Sequence, residues 1–211
     1  MRFYIPSIAA VLLATATSAG AATINFVTDP FAGSDALTTP GRQVVGNERF
    51  VEFDIASDVF VFDPNVFPIT EILFANDEVG NLPSSGINTI VLRTFDNDAD
   101  PTTPFNAGTA ANLIAAQITS PGPGFFIYFN QGLNLPRLVF STDLDDPTAD
   151  LKVLARLTNL TGQAGRDALG TITADNFAVS APEPGTLLLL VTSAGLMSVR
   201  RYRLRKGGPP F

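Results

Sequence analysis

Between Ala22 and Ser180 nothing regular runs far before a turn signal stops it. Asp63-Pro64-Asn65, Asn76-Asp77, Pro83 to Gly86, Asp96 to Pro104, Pro121-Gly122-Pro123-Gly124, Gln131-Gly132 and Asp145-Asp146-Pro147 punctuate the chain. With a break roughly every 8–12 residues, the segments suit short strands far better than long helices. Their apolar residues agree. Val51, Phe53 and Ile55 alternate with Glu52 and Asp54, Val59 to Phe62 is an apolar run, and Ile69 to Ala75 alternates again. Thr23 to Val27, Ile87 to Phe95 and Thr171 to Val179 read as further strands, and Phe125 to Asn130 with Leu135 to Thr142 as a hairpin. Leu151 to Thr158 is the cleanest, with Leu151, Val153, Ala155 and Leu157 expected on one face. Thr109 to Ile118 is the one expected helix, capped by Thr109 and striped by Leu113, Ile114, Gln117 and Ile118. About nine strands and at most one short helix predict an all-β body, an antiparallel β-sandwich of jelly-roll-like arrangement.

The two ends have a different character. Arg2, the apolar stretch Ile5 to Ala16 and the small residues Ala19-Gly20-Ala21 fit a signal peptide cut after Ala21. At the other end Pro182-Glu183-Pro184-Gly185 precedes an uncharged run from Thr186 to Val199, then Arg200, Arg201, Arg203, Arg205 and Lys206. The prolines forbid a helix from entering out of the body. As a helix the run would rise about 21 Å, short of the roughly 30 Å hydrocarbon layer, and the arginines extend it by snorkelling. Their position predicts a cytoplasmic C-terminus and a body across the membrane. The chain thus divides into a leader (1–21), a body (22–180) and a tail (181–211).

The order Pro-Glu-Pro, apolar segment, arginine cluster resembles the PEP-CTERM sorting domain over the last thirty or so residues. That resemblance implies recognition of Pro182, Glu183 and Pro184 by a membrane-embedded exosortase, with processing nearby. It also implies a Gram-negative carrier that makes extracellular polysaccharide, and a body delivered to the cell surface or the polysaccharide matrix. Gly207-Gly208-Pro209-Pro210-Phe211 extends beyond the family pattern. An ordinary C-terminal anchor shares the short span and basic flank.

The body is acidic. Six of the 13 basic residues lie in the two ends, whereas all of the 20 acidic residues except Glu183 lie between them. The resulting excess of about twelve negative charges repels nucleic acid and attracts divalent cations. Without cysteine there is no disulfide framework, and without histidine no Ser-His-Asp triad or histidine-based zinc site. Carboxylates remain. Glu52, Asp54 and Glu71 are strand carboxylates of the type that pair in glycoside hydrolysis, but nothing sets their separation, and the expectation is a protein without enzymatic activity.

Two binding features stand out. Asp96, Asp98 and Asp100, with Asn97, alternate oxygen donors in one loop, as a calcium site requires. The spacing is not an EF-hand, since Pro101 holds the sixth position, and a solvated acidic loop has the same composition. Asp143, Asp145 and Asp146 form a weaker second cluster. Phe125, Phe126, Tyr128 and Phe129 place aromatics on both faces of one strand. Burial between layers is the ordinary outcome, and Tyr128 is the member expected to keep a polar edge available to a sugar ring. Asn159-Leu160-Thr161 matches a glycosylation sequon, and a turn explains it equally. The function expected is that of an exported, exosortase-sorted surface or matrix protein. The alternative is a calcium-dependent carbohydrate-binding module.

Overall fold

A computed structural model of the chain describes residues 20–96, 98–100 and 102–181. The leader and the tail, including Pro182, Glu183 and Pro184, lie outside the described residues, as do Asn97 and Pro101. No helix among the described residues is long and apolar enough to cross a membrane.

Two sheets face one another. The smaller holds β1 (Thr23–Phe26), β4 (Val59–Phe62) and β10 (Phe177–Val179), with β4 in the middle and both pairings parallel. The larger runs β2 (Val44–Val45), β9 (Leu151–Leu157), β8 (Leu135–Ser141), β7 (Gly124–Asn130), β6 (Thr89–Leu92) and β5 (Phe74–Asp77). A further short strand, β3 (Arg49–Val51), follows β2 along the same edge of β9. The α-helices among the described residues are α1 (Ala107–Gln117) and α2 (Gly162–Leu169).

The body is therefore largely β, as expected, but the all-antiparallel, jelly-roll-like arrangement is corrected. Among the described residues only β7–β8 and β8–β9 pair antiparallel; β5–β6, β6–β7, β2–β9 and β3–β9 are parallel, like the whole smaller sheet. Parallel neighbours need a crossover, and α1 supplies it between β6 and β7. The strand that carries four aromatics is then explained. β7 is buried along its whole length because the larger sheet is covered on both faces.

On one face Phe125, Ile127 and Phe129 of β7 meet the smaller sheet, where Phe60 and Phe62 are wholly buried. Phe62 stacks on Phe125 at 3.7 Å between ring centroids, and Phe53 on Phe60 at 4.3 Å. On the other face Phe126 and Tyr128 lie in a second apolar layer with Ala110, Ala111 and Ile114 of α1. Aromatic burial of this extent replaces the covalent ties that a cysteine-free body lacks, at about 1.5–3 kcal/mol for each large side chain removed from water.

Candidate functional site

The three strands of the smaller sheet start at one corner, and the residue before each strand is tied there. Asp58 precedes β4 and is 5% exposed; its carboxylate accepts from Ala22 N at 2.7 Å and from Asp54 N at 2.9 Å. Asn176 precedes β10, and its amide donates to the carbonyls of Asp58 and Ile55 at 3.0 and 2.8 Å. Ala22 precedes β1, and its carbonyl accepts from Val59 N at 3.0 Å. Sequence periodicity reveals none of these links, because each polar side chain sits one residue outside an apolar run.

A second buried polar group joins Glu48, between β2 and β3, to Arg137 of β8 and Arg156 of β9. Glu48, whose side chain is 6% exposed, receives Arg137 and Arg156 at 2.5 Å each. Burial opposes its charge, yet its own backbone N–H and the two guanidinium groups prevail, and the carboxyl titrates below its ordinary value. Arg137 also approaches the Tyr128 hydroxyl at 3.5 Å, and Asn130 donates to that hydroxyl at 3.0 Å.

Tyr128 is thus placed where a sugar cannot reach it. It is wholly buried, with its ring beside Phe105 and Phe126. Burial pushes its hydroxyl above the ordinary value, against the pull of Asn130 and Arg137. The expectation of an exposed polar edge is corrected, because α1 covers that face of β7.

The acidic loop does not gather its carboxylates. Asp96 Oδ1 accepts from the N–H groups of Asp98 and Ala99, and Asp98 Oδ1 from Asp100 N. Asp100 Oδ1 accepts from Thr102 N and its hydroxyl, which hold that carboxyl below its ordinary value. Asp98 Oδ2 accepts from the Thr103 hydroxyl at 2.8 Å. Each oxygen so engaged closes a local turn. In the second cluster Asp143 accepts from Gly122 N and Asp146 from Thr148. Among the described residues no three acidic side chains converge as a cation would need. Glu52, Asp54 and Glu71 are exposed, and Asp54 closes its own turn by accepting from Ala56 N and the Ser57 hydroxyl. Asn159 of the sequon pairs both ways with the Phe53 backbone, at 2.8 and 3.0 Å, so its side chain anchors a strand end.

Three of the surface concavities formed by the described residues bear on function. One of about 480 Å³ lies beside Phe53, Asn159 and Thr171, and an apolar one of about 270 Å³ beside Phe31, Leu37 and Phe140. The most polar, about 300 Å³, is lined by Glu78, Arg93, Phe95, Gln163, Arg166 and Asp167. There the Arg166 guanidinium lies 4.0 Å from the Phe95 ring centroid, and Arg93 pairs with Asp77 at 2.7 Å. This cleft offers hydrogen-bond donors and acceptors around a half-buried ring, and the acidic loop departs directly from Phe95. Periodicity and turn signals did not point to it, since three of these six residues come from the unexpected helix α2. Neither protein-family models, nor curated proteins, nor solved structures yield a match to this chain.

Proposed function

We propose that this is an exported protein, sorted by an exosortase and displayed at the cell surface or in an extracellular polysaccharide matrix, with a non-catalytic folded body. One observation carries the reading: Pro182-Glu183-Pro184, the uncharged run Thr186 to Val199 and the basic cluster from Arg200 follow one another in that order. The punctuation separates the tail from the body, and the basic flank holds its end on the cytoplasmic side. The composition of the body is compatible with life outside the cell. It needs no thiol chemistry, and its net negative charge favours solubility. The exosortase would be a transient partner and the membrane a temporary one.

The experiment replaces Pro182, Glu183 and Pro184 together by alanine in the full precursor. Tail-bearing protein should then accumulate in the inner membrane, with loss of the processed form from surface and medium fractions. Unchanged maturation and delivery would overturn the proposal.

A further inference from the structure

Asp58 is a buried carboxylate whose countercharge has to be found. The ion pairs among the described residues join Arg93 to Asp77 and both Arg137 and Arg156 to Glu48, and none reaches Asp58. What does reach it is a main-chain nitrogen, Ala22 N, at 2.7 Å from Oδ1. Ala22 is also where the fold takes hold of the chain. Its carbonyl accepts from Val59 N, β1 begins at the next residue, and Gly20 and Ala21 lie exposed outside. The same residue follows the small-residue sequence Ala19-Gly20-Ala21, after which a leader peptidase would cut.

We propose that hydrolysis of the Ala21–Ala22 peptide bond completes the body, because the α-ammonium released at Ala22 becomes the ionic partner of Asp58. The inference rests on the export reading for its leader, and adds what the cut does to the fold. In the reaction the carbon–nitrogen bond breaks. The oxygen of one water ends in the Ala21 carboxylate, and both its hydrogens end on the Ala22 nitrogen. A neutral N–H donor thereby becomes a cationic one in place, with no movement of either partner. Charge-assisted hydrogen bonds are roughly twice as strong as neutral ones, and a buried charge gains most from a partner. The corner that gathers the starts of β1, β4 and β10 is then locked by maturation itself.

The test uses protein matured in cells from the full precursor, in wild-type form and as Asp58→Asn, which keeps an acceptor for Ala22 but removes the charge. Mass spectrometry should place the mature N-terminus at Ala22. Acetylation, which neutralises the α-amine, should lower the wild-type Tm by about 3–10 °C, whereas reductive dimethylation, which keeps the charge and one N–H, should leave it nearly unchanged. In Asp58→Asn acetylation should have little effect; Lys152 is acetylated in both proteins, so its contribution cancels. With Ala22 as terminus, an equal response of the two proteins, or none in the wild type, overturns the inference and leaves the export reading intact. A terminus elsewhere overturns the inference because Ala22 never becomes an ammonium. A precursor that is never cut overturns the export reading as well. Should Asp58→Asn fail to fold, the contrast between acetylation and dimethylation in Lys152→Arg, where the α-amine is the one amine left in the body, decides alone.

Discussion

Glu48 stands in a short irregular stretch between two scraps of strand, and it answers to two arginines on neighbouring strands. Removing one partner of a buried ion pair leaves the others uncompensated, so Glu48→Gln should cost about 3 kcal/mol at neutral pH. Its carboxyl is depressed in the folded protein, so its contribution is fully present above the unfolded value of about 4.3 and is lost as pH falls through the lower native value. The variant should therefore differ from wild type at pH 7 and approach it near pH 3, as read by urea denaturation at the two values. A penalty of the same size at both would show that shape, not charge, is what Glu48 supplies. Nothing in the local sequence announces this role. Lone acidic residues in loops are ordinarily solvated, and the partners Arg137 and Arg156 are brought to it only by the pairing of β8 with β9. The same holds for Asn176, whose amide reaches the carbonyls of Ile55 and Asp58 more than a hundred residues away.

At the scale of elements, what could be read from the chain was the position of strongly apolar pieces. Val59–Phe62, the β7–β8 hairpin and the limits of β9 agree with their period and turn signals to within a residue. Faces were less legible. Leu151 and Val153 belong to the α1 side, whereas Ala155 and Leu157 belong to the phenylalanine layer. An irregularity in the β8–β9 pairing skips Leu154 and reverses the alternation, as a one-residue slip must. The expected helix is present, though Asn106 caps it in place of Thr109, accepting from the N–H groups of Gly108 and Thr109. The second helix, α2, exceeds the expected maximum of one, and its glycines hid it, because Gly162 and Gly165 argue for a turn. Gly165 is there for closeness: a Cβ would stand 2.4 Å from the Leu160 carbonyl oxygen. Gly165→Ala should accordingly lower stability by about 1–3 kcal/mol, although alanine is the better helix former by roughly 1 kcal/mol. Gly80→Ala, where nothing lies within 4 Å, should be nearly neutral. Chemical denaturation midpoints of the two variants make the comparison, and equal midpoints would remove the close-packing argument.

For the whole molecule, the decisive fact is that one sheet serves two apolar layers. The phenylalanine layer joins the smaller sheet to β7, and the α1 layer uses the opposite face of the same strand. If either layer melts, β7 loses half of its burial, so the layers should unfold together in one transition. The composition provides a probe of one layer. There is no tryptophan, and Tyr128 is the single tyrosine between residues 22 and 180, buried in the α1 layer. Intrinsic fluorescence of that segment therefore reports on the α1 layer, while far-ultraviolet dichroism reports on every strand and helix. Phe62→Ala removes a wholly buried ring from the opposite layer and should cost about 3–5 kcal/mol. Although Phe62 lies in the other apolar layer from Tyr128, the fluorescence midpoint should fall by the same amount as the dichroism midpoint. A dichroism midpoint that drops while the Tyr128 signal holds its original position would mean that the α1 layer stands alone. The body would then be two units that share a sheet.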